Sequence, residues 1–146
     1  MRLLVDTNIF VDYFFRNDEN TDEAERFFDY CYKNRNQIYI TSMSLRDIGY
    51  LGHKYVHNKE LVRDVQIKIY NMVTKICDTS ADAAIEALYS DNSDYEDELQ
   101  IIAAQEILAD GIVTNDKKGF KNANIHVFTI KQANDLLSKQ HPVVIE

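Results

Sequence analysis

The chain reads as an α/β fold, a parallel sheet covered by helices on both faces. Three observations predict it. Short apolar runs, Leu3-Leu4-Val5, residues 38–40 and residues 112–114, alternate with longer stretches of helical spacing. The first run is unbroken, as suits a central strand buried on both sides. It stops at a carboxylate, Asp6, at the strand end where such sheets gather ligands.

Each element follows from the residues in turn. Residues 9–15 form a short helix, the polar stretch 16–20 breaks it, and Thr21 caps a second helix running to about Asn34. Ala24, Phe27, Phe28 and Cys31 give that helix its apolar stripe. Residues 38–40 are the second strand. Ser42 or Ser44 opens a helix to about His57, residues 59–75 form another, and Ile76 with Cys77 is a third short strand. Ser80 caps a helix over 81–89. The turn-forming cluster Asp91-Asn92-Ser93-Asp94 leads into a long helix over 95–109, which Gly111 is expected to end as a residue needing positive φ. Residues 112–114 are the fourth strand, Val127 and Phe128 lie in the fifth, and residues 130–138 are the last helix. No repeat, linker or low-complexity segment divides the chain, so a single domain over 1–146 is expected.

Composition narrows the function. With 146 residues, 45% of them hydrophobic, the chain can fill one core. It has no apolar run of membrane-spanning length and no signal-peptide pattern, which sets the expectation of a cytoplasmic protein with no membrane partner. Cys31 and Cys77 are isolated, as expected of reduced, packed thiols. The net charge of −8 excludes a broadly basic nucleic-acid surface, so any such contact must be local. Lys117, Lys118 and Lys121 are the one cluster that qualifies; the alternative is an ordinary solvated loop.

Four acids become informative together. Asp6 ends the first strand, Asp47 is expected in the first turn of the helix after the second strand, Asp97 in the first turn of the long helix, and Asp116 just past the fourth strand. A parallel sheet brings all four to one edge. Singly, each has a plainer reading as a helix cap, a capping-box acid or a turn residue.

Three blocks carry a family resemblance: Leu4-Val5-Asp6-Thr7-Asn8-Ile9-Phe10, Asp94-Tyr95-Glu96-Asp97-Glu98-Leu99-Gln100, and Ile112-Val113-Thr114-Asn115-Asp116-Lys117-Lys118-Gly119-Phe120. In this order they resemble a PIN-domain ribonuclease, and the size of the chain resembles the toxin subunit of VapBC-type toxin–antitoxin pairs. The resemblance implies a three-layer α/β/α domain with strand order 3-2-1-4-5. It also implies Mg²⁺ or Mn²⁺ at the acidic edge, endonucleolytic RNA cleavage leaving a 5′ phosphate and a 3′ hydroxyl, and a cognate antitoxin; a homodimer stands open. The family's second acid is usually Glu, where this chain has the shorter Asp47. The last block often has Asn at position 116 and Asp just before the Phe, where this chain has Asp116 and Gly119, as if the fourth carboxylate had moved along the loop.

The chemistry fits a cation. Two carboxylates about 5 Å apart repel by roughly 3 kcal/mol at an effective dielectric near 20, so a cluster of them either takes up protons or holds a cation. Oxygen-only ligands favour Mg²⁺ or Mn²⁺, which bind phosphate and lower the pKa of water. Asp6, Asp47, Asp97 and Asp116 are the expected catalytic metal ligands, Thr7, Asn8 and Thr114 the groups that orient them, and Lys117, Lys118 and Lys121 the contacts to RNA phosphate. Gln100, one turn beyond Asp97, is either near the site or plain polar surface. A phosphatase of the haloacid dehalogenase type is excluded because Asn8 stands where its second Asp belongs. His53 and His57 lack the Glu of a zinc-protease helix. The remaining rival is a catalytically impaired PIN-fold interaction module.

Overall fold

A computed structural model describes residues 1–141. In chain order the elements are β1 (Arg2–Val5), α1 (Thr7–Phe15), α2 (Glu19–Lys33), β2 (Gln37–Thr41), α3 (Ser42–Val56), α4 (Lys59–Met72), β3 (Lys75–Cys77), α5 (Ala81–Leu88), α6 (Tyr95–Glu106), β4 (Gly111–Val113), a 3-10 turn (Lys118–Phe120), β5 (His126–Phe128) and α7 (Ile130–Leu137). The five strands form one parallel sheet of order β3-β2-β1-β4-β5. The strand order implied by the family resemblance is the observed one.

Alternation along the strands builds the layers. Leu3, Val5, Ile38, Ile40 and Val113 share one core with side chains of α1, α2, α3, α4 and α7. Leu4, Tyr39 and Ile112 turn to the other face and pack against Ile101 and Ala104 of α6 and Phe120 of the 3-10 turn. Helix α5 joins that layer through Ala83 and Ala87 against Leu99 and Ile102. The sheet is thus covered on both sides, and its strand ends are the place where backbone leaves the core.

Several element boundaries differ from the sequence reading. Thr41, not Ser42 or Ser44, caps α3, its hydroxyl accepting from Ser44 N at 3.0 Å. Asp18 caps α2, and Thr21 is the return half of a capping box. Helix α4 stops at Met72 because Thr74 already pairs with β2, donating its N–H to the Ile38 carbonyl at 2.7 Å. Helix α6 stops at Glu106, and Leu108, with φ 55°, is the left-handed residue beyond it.

Gly111 does not cap that helix; it opens β4, and no glycine has positive φ. A Cβ there would stand 2.5 Å from the Phe128 ring, so Gly111 is required for close packing between β4 and β5. Gly52 likewise makes room for a neighbour, since its Cβ would stand 2.7 Å from the Phe15 ring. Both cysteines are buried free thiols, and burial pushes Cys31 up to about 12. Among the described residues no helix is long and apolar enough to cross a membrane.

Candidate metal centre

Asp6 is the first residue past β1 and the N-cap of α1, so the plainer reading of it is true and incomplete. Its Oδ1 accepts from Thr7 N at 2.8 Å and from Gln100 Nε2 at 3.2 Å. Its Oδ2 accepts from the Thr114 hydroxyl at 2.7 Å and from Asn8 Nδ2 at 3.4 Å. Thr114, wholly buried past the end of β4, also accepts from Asp116 N at 3.1 Å. Adjacent parallel strands therefore bring Asp6 and the Asp116 loop together.

The N-terminal turn of α6 supplies the next acids. Asp94 caps the helix, its Oδ1 accepting from Asp97 N at 2.9 Å, and Asp97 lies in the first turn as expected. The spacing of three puts both carboxylates at one helix end. Asn92 then fastens the loop after β4 to this helix, its Nδ2 donating to the Gly119 carbonyl at 2.9 Å and to Glu98 Oε2 at 3.0 Å. Asp116 also shapes that loop, since its Oδ1 accepts from Lys118 N at 3.3 Å.

Electrostatics join these residues. Burial raises the Asp6 carboxyl above its ordinary value, against hydrogen bonds from Thr114 and Thr7, and repulsion from Asp116 and Asp94 adds to the rise. Burial likewise pushes Asp97 up to about 7, helped by the charges of Asp94, Asp6 and Asp116. No cation within the described residues forms a salt bridge with any of the four. As the side chains stand, no three His, Cys, Asp or Glu among the described residues converge on one ion-binding point.

Asp47 is placed apart from this group. It falls in the second turn of α3, not the first, because Thr41 starts the helix early. Its carboxylate pairs with Arg46 at 3.2 Å, and it is not among the acids that raise Asp6 or Asp97. It still faces a cleft of about 570 Å³ that Asp6, Asn8 and Glu96 also line. A larger cavity, about 1270 Å³, lies by Gln37 and Thr74 at the amino ends of β2 and β3 and touches none of these acids. That cavity thus lies away from the carboxyl edge where Asp6, Asp94, Asp97 and Asp116 gather.

The model of the PIN domain family matches residues 2–118. The chain belongs to the PIN domain family. No curated protein matches it significantly in sequence. Solved structures share the fold. VapBC2 from Rickettsia felis, bound to a DNA fragment from its promoter, matches with a TM-score of 0.65 and 23% identity, over 88% of this chain and 98% of that one. VapC20 from Mycobacterium tuberculosis, described as a sarcin-ricin loop cleaving toxin, matches with a TM-score of 0.67 and 13% identity, over 84% and 95%. FitAcB from Neisseria gonorrhoeae gives 0.63 and 13%, over 88% and 98%.

Within this PIN domain the sequence reading missed two groups, Asp94 and Asp12, and left a third, Gln100, open. Asp94 was legible only as a cap, although its spacing from Asp97 was a signal that both share a helix end. Asp12, 5% exposed, lines the same cleft beside Arg16 at 3.5 Å, and burial raises its carboxyl; an isolated mid-helix Asp gives no such signal in sequence. Gln100 is 3% exposed and reaches Asp6, so it is not polar surface. Of the three lysines, Lys118 and Lys121 are exposed, whereas Lys117 donates to Gln132 Oε1 at 2.6 Å.

Proposed function

We propose that this PIN domain is a divalent-metal-dependent endoribonuclease that hydrolyses RNA phosphodiester bonds, acting as the toxin of a toxin–antitoxin pair. One observation carries the reading: Asp6 and Asp97 sit at the carboxyl edge of the sheet with raised carboxyls, beside Asp94 and Asp116 and without a paired cation among the described residues. Such a cluster is costly unless it binds something positive. The fold it shares with VapC20, and with the toxin–antitoxin assembly VapBC2, supports RNA as substrate and an antitoxin as partner.

The residues present suit Mg²⁺ or Mn²⁺. All the donors are oxygens, and Gln100 Oε1 is a buried acceptor with no partner next to the cluster. Asp6, Asp97 and Asp116 would hold the ion, with Asp94 beside them and Asp47 contributing from the cleft wall. Bound there, a divalent ion supplies a Lewis acid for the phosphate and makes water more acidic. The chain's own groups do the rest. Thr7 and Thr114 fix the Asp6 carboxylate through the hydrogen bonds described above, with Asn8 at a longer 3.4 Å beside it. Asp97, titrating at about 7, can hold or release a proton near neutral pH in the metal-free protein. Lys118 and Lys121 lie exposed on the loop that carries Asp116, in position to hold phosphates of the strand, with Lys117 completing the cluster.

A cleavage assay on single-stranded and structured RNA tests this, with Mn²⁺ or Mg²⁺ against a chelator. Metal-dependent cuts bearing 5′ phosphates, lost in Asp6→Asn, are the expected result. Failure to cut any RNA with either metal would leave the interaction module as the function of the fold.

A further inference from the structure

Gln100 occupies a position that packing alone would give to an apolar side chain. It lies on α6 between the buried residues Leu99 and Ile101, and its own Oε1 is buried without a partner. A buried unpaired carbonyl is destabilising, and a methionine would fill similar volume without that cost. What the amide gains is a bridge between three elements. Its Nε2 donates to Ser44 Oγ at 2.7 Å and to Asp6 Oδ1 at 3.2 Å, and Ser44 is wholly buried in the first turn of α3, three residues before Asp47.

Counting lone pairs shows what the bridge does. A carboxylate oxygen has about two acceptor sites. Thr7 N and Gln100 Nε2 fill both on Oδ1. On Oδ2, the Thr114 hydroxyl at 2.7 Å takes one, and Asn8 at 3.4 Å is too long to hold the other firmly. We propose that Gln100 is a positioning residue, locking the Asp6 carboxylate so that Oδ2 keeps an open lone pair for a divalent cation. The proposal rests on the metal-dependent reading above. Ser44 serves it by holding the amide in register.

Calorimetric titration of the full chain with MnCl₂ tests this, beside thermal melts without metal. Gln100→Met should bind Mn²⁺ about 10- to 100-fold more weakly, the usual cost of losing a group that orients a ligand. Its metal-free melting temperature should be unchanged or higher, because the unpaired carbonyl is gone. A merely structural Gln100 gives the reverse, a lower melting temperature with unchanged affinity, and that result overturns the proposal. If Gln100→Met does not fold, Ser44→Ala decides: Mn²⁺ binding weakened severalfold supports the bridge, and unchanged binding overturns it. Wild type that binds no Mn²⁺ would sink the metal reading itself, which separates that failure from failure of the Gln100 role alone.

Discussion

Gly119 lies directly against the Asp97 carboxylate, so closely that any side chain at 119 would occupy the space Asp97 fills. A Cβ there would stand 2.8 Å from the Asp97 Cβ and 2.6 Å from its Cγ, distances that swinging the carboxylate tip alone does not relieve. Position 119 thus has to stay without a side chain for Asp97 to keep its place. Asn92 holds the two segments together through the Gly119 carbonyl.

Gly119→Ala should therefore displace Asp97 and reduce Mn²⁺-dependent cleavage by about 10- to 100-fold, as loss of a ligand's orientation usually does. Asn92 should still hold the loop, so circular dichroism should remain that of wild type. Full activity in Gly119→Ala would show that Asp97 does not need its present position.

Asp6→Asn should raise the metal-free melting temperature, because it removes one of the repelling charges while Asn remains a good N-cap. Wild type should melt higher as Mn²⁺ is added and the mutant much less so, since a ligand bound only to the folded state stabilises by mass action. Equal metal responses in the two proteins would remove Asp6 from the ligand set.

Asp97 sets a pH dependence of definite sign. Its folded pKa is raised from 3.8 to about 7, so the folded state binds its proton more tightly than the unfolded state does. Stability from this group is complete below about pH 4 and is lost as pH rises through about 7. In chelator, the melting temperature should fall between pH 5 and pH 8, and Asp97→Asn should flatten that fall. A wild-type melt indifferent to pH in this window would contradict the burial of this carboxyl.

Lys118→Gln with Lys121→Gln should weaken RNA binding and reduce the slope of log affinity against log salt by about 1.4, near 0.7 for each single-strand phosphate no longer neutralised. Adding Lys117→Gln should change little more, because Lys117 is engaged by Gln132. An unaltered slope in the triple variant would take the whole cluster out of substrate binding.

Asp47→Glu should strengthen Mn²⁺ binding, since one more methylene carries the carboxylate away from Arg46 and into the cleft it shares with Asp6. Calorimetry on this variant checks the direction; weaker binding would mean that Asp47 acts through its pairing with Arg46.

Why some of this is readable from sequence and some is not follows from range. Leu3-Leu4-Val5 and residues 112–114 announce buried strands by local composition, and parallel order then brings Asp6 and Asp116 to one edge without further information. Asp97 follows from its place in a first helical turn. Gln100 and Ser44 cannot be read this way, because their pairing joins residues 56 apart and each alone is an ordinary polar residue on a helix. Gly111 misleads because a glycine after a helix has two uses, a left-handed turn or room for a neighbour's ring, and only the presence of Phe128 chooses between them. Asp47 falls one turn later than expected because Thr41, a strand residue by composition, also begins the helix.

Strand order also bears on when the acidic edge is assembled during synthesis. The first strand synthesised, β1, ends up at the centre of the sheet, and β4 joins it only after more than a hundred residues have been made. A ribosome-bound chain thus displays Asp6 for most of its synthesis without Thr114, Asp97 or Asp116 around it. The acidic edge closes only when β4 docks beside β1, so the centre proposed here is a late product of synthesis.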